Sequence, residues 1–309
     1  MQLTFLGTGP AWGLPELLCS CQICQTMRRK GEKRRRSSLL LKGEEKVLLD
    51  CGPDIKEQLE EARIGADVRA ILISHEHNDH YMGLDDLFPF KRTKGRDEFQ
   101  PIDVFSSVST FIEINRRFGY LEEFGVIKHT IVEPKRWYEL RDLSFMPFKT
   151  FHGDSAKGSM GFLIQFSTKS SQRRLIYTSD FMELEGWDPG LKNPDYLIIQ
   201  SFWLNEPVQN RPKHMSFQRA VEYIRLFEPQ RSVFLVHMGD GDSVPGDPQN
   251  RILKKYEAKD PLRPPRGNAP YPVPKCHQEW QEIVETILED YQYPWRIYVA
   301  RDFQDISLI

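Results

Sequence analysis

A chain of 309 residues, 39% hydrophobic and 28% charged, has the balance of a soluble globular protein and enough apolar material for one sizeable core. Six Trp, 11 Tyr and 19 Phe exclude disorder as the main state, and 42 Lys and Arg against 44 Asp and Glu leave no global basic field to recruit nucleic acid. The longest apolar runs, such as Ala70 to Ile73 and Val233 to Val236, are far shorter than the roughly 20 residues of a membrane span, and the start at Met1 lacks the pattern of a signal peptide, so a cytoplasmic protein without a membrane partner is expected.

The predicted elements alternate short strands and helices. Gln2 to Leu6 reads as a first strand, ended by Gly7-Thr8-Gly9-Pro10. A Cys-containing loop at about 15–30 follows, then a connector in which Arg28, Arg29, Lys30, Lys33, Arg34, Arg35 and Arg36 crowd together. Such a run is usually a solvated face, although contact with nucleic acid or a substrate phosphate is open to it. Leu39 to Leu41 and Val47 to Leu49 read as a strand pair, and Asp54 to Ala62 as a helix. Ala70 to Ser74 is a buried strand, Ile102 to Phe105 another, and Ser109 to Phe118 carries helical spacing. Strands are expected at Phe148 to Phe151, Phe162 to Phe166, Arg174 to Thr178, Tyr196 to Gln200, Ser232 to His237 and Arg296 to Val299, with helices at Ser216 to Phe227 and Gln278 to Tyr291. Residues 241–278, rich in Pro and Gly, read as an excursion packed by aromatics. With neither repeat nor linker, residues 1–309 are expected to form a single domain.

Chemistry concentrates at the end of the Ala70 to Ser74 strand, where His75-Glu76-His77-Asn78-Asp79-His80 crowds three imidazoles and an Asp into one loop. Imidazole and carboxylate ligate zinc, manganese or iron, and a tight loop can aim them at a small volume. His152, Asp180 and His237 stand at later strand ends, which brings the set to five His and two Asp, the number two adjacent metals need. A carboxylate can bridge them because each of its oxygens can bind one cation. Separately, Cys19, Cys21 and Cys24 have the donors for a structural zinc, since five Cys in a reducing compartment argue against a disulfide framework.

The order His75-x-His77-x-Asp79-His80, His152, Asp180, His237 resembles the metallo-β-lactamase superfamily from Gly7 to His237. The resemblance implies an α/β fold, an αββα sandwich whose strand-end loops form the site. It implies that His75, His77 and His152 hold one metal, that Asp79, His80 and His237 hold the second, and that Asp180 bridges them. Asp50 resembles the Asp beneath the metals, where it would orient an imidazole. Asp180 in place of Cys argues against the zinc β-lactamases, and His77 in place of Glu argues against flavodiiron oxidoreductases. The segment Cys19-Ser20-Cys21-Gln22-Ile23-Cys24 resembles the cyclic phosphodiesterases of bacterial phosphonate breakdown and the related proteins of pyrroloquinoline quinone biosynthesis; the intact hexapeptide favours the first. There the fourth zinc ligand is a His at the position of Asp240 here. Asp240 is the expected ligand, with Cys276 or His277 as the alternative.

The expected protein is therefore a hydrolase with two divalent metals (zinc or manganese, with iron possible) and one structural zinc, acting on a small or cyclic phosphodiester. The metals would activate water and neutralise phosphate oxygens, Asp79 would orient the attacking water, and His214, opening a helix, would donate to the leaving group. Alternatives are tRNA 3′-end processing with a nucleic-acid partner, iron-dependent thiol oxidation, and a non-catalytic scaffold stabilised by metal. A homodimer is implied by the resemblance alone.

Overall fold

The computed structural model describes residues 1–95, 98–168 and 171–309. Period-two side-chain alternation decides its layers. In Leu39-Leu40-Leu41, the outer two residues face an inter-sheet core and the middle one faces helices. The first sheet contains β1 (Gln2–Gly7), β2 (Ser38–Lys42), β3 (Lys46–Leu49), β4 (Val68–Leu72), β5 (Ile102–Ser106) and β6 (Ile127–Ile131). The second contains β7 (Tyr138–Glu139), β8 (Leu143–Phe151), β9 (Met160–Ser167), β10 (Gln172–Tyr177), β11 (Glu183–Leu184), β12 (Tyr196–Gln200), β13 (Ser232–Val236) and β14 (Ile297–Val299). A final strand, β15 (Gln304–Ser307), returns to the first sheet and pairs antiparallel with β1, placing Gln2 opposite Ser307.

Strands β3 to β6 run parallel in one sheet, and β10, β12, β13 and β14 run parallel in the other. The inner faces meet through Leu3, Phe5, Leu49 and Leu72 on one side and Phe145, Phe162, Ile164 and Phe234 on the other. Outside the first sheet lie α2 (Ile55–Glu61), the short α4 (Phe88–Arg92) and α5 (Val108–Glu123), with Ile55, Leu59, Ile114 and Leu121 buried beneath them. Outside the second lie α6 (Phe217–Phe227) and α7 (His277–Asp290), which bury Ile224, Phe227, Trp280 and Val284. Helix, sheet, sheet, helix is the expected sandwich. In such sheets the loops beyond the carboxyl ends of parallel strands form the ligand crevice.

Several elements depart from the sequence expectation. The Cys loop continues into a helix, α1 (Gln22–Lys30), which buries Ile23, Cys24 and Met27 and ends at Gly31 in the left-handed conformation that glycine adopts freely. The start of the basic run is thus the last turn of a helix, where Arg28, Arg29 and Lys30 complement the helix dipole. Strands β6 and β15 were not anticipated, because their mixed polar sequences carry no clean period. The excursion over 241–276 does pack against the body through aromatics, with Tyr256 5.5 Å from Trp203 and the Tyr271 hydroxyl donating to Asp290 at 2.5 Å. No helix among the described residues is long and apolar enough to cross a membrane.

Phe162 is wholly buried where the two sheets meet, its ring 6.0 Å from that of Phe145. Phe162→Ala is expected to destabilise the fold by about 3–5 kcal/mol in urea denaturation, through lost burial and the cavity left behind.

Candidate metal centre

Strand ends on one rim supply the donors. The turn after β4 carries His75 and leads through His77 into α3 (Asn78–Tyr81), which presents Asp79 and His80. Two glycines make this turn possible. A Cβ on Gly52 would stand 2.1 Å from the Asp79 carbonyl oxygen, and one on Gly83 would stand 2.1 Å from the Gly52 carbonyl oxygen. His152 follows β8, Asp180 follows β10, and His237 follows β13 with a positive φ of 55° that turns the chain sharply.

The ligand atoms of His75, His77 and His152 lie within 4.8 Å of one another, and so do those of Asp79, His80, Asp180 and His237. Asp180 Oδ2 stands between the two groups, 3.8 Å from His152 Nε2, 3.4 Å from His80 Nε2 and 2.9 Å from His237 Nε2. The Nε2 atoms of His75, His80 and His237 are buried without a hydrogen-bond partner. Buried polar atoms are rarely left bare, and lone pairs directed at a shared centre beside two carboxylates are the donor set a divalent metal pair takes. The residues present therefore fit the group that the hexapeptide implies.

The opposite ring nitrogens are tied down, which sets the tautomers. His80 Nδ1 donates to Asp50 Oδ2 at 2.8 Å, and His152 Nδ1 donates to the Lys213 carbonyl at 2.8 Å. The Ser155 hydroxyl is 3.0 Å from His77 Nε2, and the Ser74 hydroxyl is 2.9 Å from His75 Nδ1. Asp50 is itself fully buried with φ 64°, and it accepts from the Ser74 amide at 2.8 Å, the Ser74 hydroxyl at 3.0 Å and the Tyr177 hydroxyl at 2.7 Å.

Charge separates within the cluster. Burial draws the His80 and His237 pKa values down, but the surrounding Asp79 and Asp180 outweigh it, raising His80 well above the ordinary imidazole value and His237 to about 9. Burial raises the carboxyls of Asp79 and Asp180, yet His80 and His237 hold both well below the usual range. His75 is pushed down by burial and by its neighbour His80, and burial lowers His152 to about 4.

His214 enters the same cavity, its Nδ1 3.7 Å from Asp180 Oδ2. Gln200 determines how it does so. The Gln200 side-chain oxygen accepts from the Phe181 and Met215 amides at 3.1 Å each, which leaves its nitrogen to donate to His214 Nδ1 at 2.7 Å. His214 Nδ1 is therefore an acceptor and its proton sits on Nε2. Phe202 stacks on the ring at 4.5 Å and 9°, and burial, followed by the neighbouring His152, keeps its pKa well below the ordinary value. Glu76 is a further residue sequence reasoning passed over. It accepts from Thr110 Oγ1 and from the Gly158 amide, each at 3.1 Å, and so ties the hexapeptide to the loop after His152. Nothing local in the sequence singles out Gln200, Phe202 or Glu76, because their partners lie tens of residues away.

The Cys-rich group forms a second cluster. Cys19, Cys21, Cys24 and Asp240 offer ligand atoms within 4.8 Å of one another, with Asp240 Oδ2 3.0 Å from Cys24 Sγ and 3.7 Å from Cys21 Sγ. The Glu16 amide points at Cys24 Sγ (3.4 Å) and the Cys21 amide at Cys19 Sγ (3.5 Å), an environment suited to thiolates. The hydrogen bond between Cys24 and Cys21 lowers the Cys21 thiol to about 6, while that bond, burial and the nearby Asp240 raise the Cys24 thiol, so without a cation the proton stays on Cys24. Neither alternative joins this group: Cys276 occupies the N-cap position of α7 without a side-chain capping bond, and His277 Nδ1 faces Arg34 Nη2 at 3.1 Å.

The arginines after α1 are engaged within the fold. Arg34 is buried and donates to Thr8 Oγ1 at 2.7 Å and the Ala300 carbonyl at 2.8 Å. Arg35 pairs with Glu61 at 2.6 Å, and Arg36 with Asp54 at 2.6 Å. The idea that this triplet contacts a substrate phosphate gives way to a structural role.

Comparison with known proteins agrees with this architecture. The family model of the β-lactamase superfamily domain matches residues 45–238. The chain belongs to this superfamily, in its metallo-β-lactamase fold. A Porphyromonas gingivalis protein named octanoyltransferase is 31% identical over 245 residues, which is 77% of this chain and 46% of that protein. A ribonuclease Z of Pyrococcus horikoshii is 28% identical over 163 residues, 51% of this chain and 47% of the relative. The chain thus spans about half the length of these curated relatives. The crystal structure of a diphosphatase from the PhnP family superposes with a TM-score of 0.68 at 20% identity, covering 99% of this chain and 96% of the other.

Replacing Asp50 by Ala leaves the His80 Nδ1 proton, the Ser74 amide and the Tyr177 hydroxyl without their acceptor. The expected result is a 10–100-fold loss of metal affinity, read by chelator competition, with the ligands themselves intact.

Proposed function

We propose that the protein is a two-metal hydrolase of a small or cyclic phosphodiester. The observation that carries this reading is the arrangement of donors on either side of Asp180, with three buried imidazole nitrogens left bare toward them. In this reading His75, His77 and His152 would hold one cation, Asp79, His80 and His237 would hold the other, and Asp180 would be shared between them. Zinc or manganese suits imidazole and carboxylate donors, and iron is the further candidate. When bound, the cations supply Lewis acidity toward phosphate oxygens and lower the pKa of water.

The chain's own residues do the rest. Asp79, the less buried of the two cluster carboxylates, would orient the attacking water. Gln200 keeps the His214 proton on Nε2, and Phe202 holds the ring in place, so His214 donates a hydrogen bond to the departing oxygen or a phosphate oxygen. The names diphosphatase and ribonuclease Z both denote proteins that act on phosphate-containing substrates, which supports this class. The octanoyltransferase and ribonuclease Z relatives are each matched over less than half of their own length, so neither whole-protein activity is carried over.

The ribonuclease Z relative favours tRNA 3′-end processing as the second reading. Two observations weigh against it. Between Asp180 and His214 the described chain forms only β11, a single 3₁₀ turn at Pro189–Leu191 and β12, with no additional helix that could extend as an RNA-gripping arm. Arg34, Arg35 and Arg36, the densest part of the basic run, are held by the fold itself.

Metal analysis of freshly purified protein, with assays on bis-p-nitrophenyl phosphate, a cyclic nucleotide and a tRNA precursor, tests the reading. Hydrolysis of the first two with three metals per chain, two at the rim and one in the Cys-rich cluster, is expected; cleavage of the tRNA precursor alone would select the second reading. Asp180→Ala is expected to abolish turnover and paired metal loading. His214→Ala should keep both metals and lose about 10²–10⁴-fold in turnover. Loss of metal from that variant would make His214 a ligand and overturn its role.

A separate structural zinc belongs to the same proposal, held by Cys19, Cys21, Cys24 and Asp240. X-ray absorption should find sulfur-bound zinc at near ~2.3 Å that persists in Cys276→Ala and is lost or loosened in Asp240→Ala.

A further inference from the structure

The Cys-rich cluster poses an electrostatic difficulty. Three thiolates and a carboxylate carry four negative charges against the two positive charges of zinc, an excess of two in a place where Cys21, Cys24 and Asp240 are all buried. A neutral imidazole in the fourth position would leave an excess of one. Uncompensated charge is costly to bury, so a site built with Asp240 needs a cation beside it.

That cation is present. Lys254 Nζ stands 2.5 Å from Asp240 Oδ2 and 3.9 Å from Cys24 Sγ, and it also pairs with Glu16. Its partners come from three separate segments. Glu16 directs its amide at the Cys24 sulfur, Cys24 belongs to α1, and Asp240 follows His237 in the loop that leaves the active-site rim. Next to it, Lys255 Nζ donates to main-chain carbonyls, at 2.5 Å from Asp240 O and 2.9 Å from Asp242 O, so its buried charge also lies beside the cluster while its donors shape the loop and leave the ligand oxygen to Lys254.

We infer that Lys254 is the positioning residue that allows a carboxylate to serve as the fourth zinc ligand: its ammonium offsets part of the excess negative charge, holds Asp240 Oδ2 toward the sulfurs, and ties Glu16 to the same point. This inference rests on the zinc reading above. A carboxylate oxygen has two lone pairs, so Oδ2 can serve the metal with one and Lys254 with the other. The arrangement makes zinc retention depend on a residue outside the ligand set and distant in sequence from all three cysteines.

The test compares wild-type protein with Lys254→Met, which keeps most of the apolar stem, and Lys254→Arg, which keeps the charge. Zinc is titrated out with 4-(2-pyridylazo)resorcinol while X-ray absorption reports the sulfur-bound fraction, and circular dichroism checks the fold. Lys254→Met is expected to lose sulfur-bound zinc with about tenfold weaker apparent affinity, within the range that groups supporting a metal ligand contribute, while Lys254→Arg recovers most of it. Equal affinity in wild type and Lys254→Met overturns the inference while leaving the zinc site standing. Tighter binding in Lys254→Met also overturns it, by making the ammonium a competitor for Oδ2. A wild-type protein without sulfur-bound zinc overturns the zinc reading and this inference together.

Discussion

The carboxylate of Asp50 is the interaction on which the site depends. It directly follows β3 in the first sheet, yet it accepts from Tyr177, the last residue of β10 in the second, from Ser74 just beyond β4 and from His80 in α3. One buried anion thus fastens the two sheets at the rim where they open and fixes which nitrogen of His80 faces inward. A hydrogen bond to a charged acceptor in a buried setting is stronger than its neutral counterpart. Its left-handed backbone is a local cost at a functional position, and the five surrounding donors hold it there.

The rim cluster and the Cys-rich cluster solve opposite charge problems with related means. At the rim, imidazoles outnumber carboxylates, and the rings are kept in one orientation by acceptors behind them: Asp50 for His80 and the Lys213 carbonyl for His152. In the Cys-rich cluster anions dominate, and the supporting groups are donors instead, namely two backbone amides and Lys254. The clusters share one stretch of chain, since His237 and Asp240 lie three residues apart after β13. The fixed geometry of one loop therefore contributes to both.

Gln200 illustrates how a neutral side chain can assign a proton. Two backbone amides claim its oxygen, so its nitrogen must donate, and His214 Nδ1 must accept. The same nitrogen is 3.2 Å from His237 Nδ1, and the ring of His214 shares the cavity with His152 and Asp180, their ligand atoms lying within 4.8 Å of one another. The stacked Phe202 then confines the ring between Gln200 and the cavity.

Much of this was legible in the sequence. Short apolar runs marked the strands that became the inter-sheet core, and the run His75 to His80 at a strand end announced a metal-binding loop, because ligand-rich loops and buried strands are both local patterns. Asp240 could be proposed from its offset to His237 but not separated from Cys276 and His277, since that choice turns on which segment folds back beside Cys24. The strand β15 and the roles of Arg34, Arg35 and Arg36 were not legible either. A mixed polar strand declares itself only against a partner such as β1, and a guanidinium becomes structural only when Thr8, Glu61 or Asp54 is brought to it. The sequence by itself determined the strands and the donor inventory, which depend on residue type and short apolar runs, and implied the layers through the resemblance that the ligand order carries. Only the tertiary structure decided which nitrogens were left bare, which proton Gln200 assigns and which lysine stands at Asp240, because each is set by contacts between residues far apart in the chain.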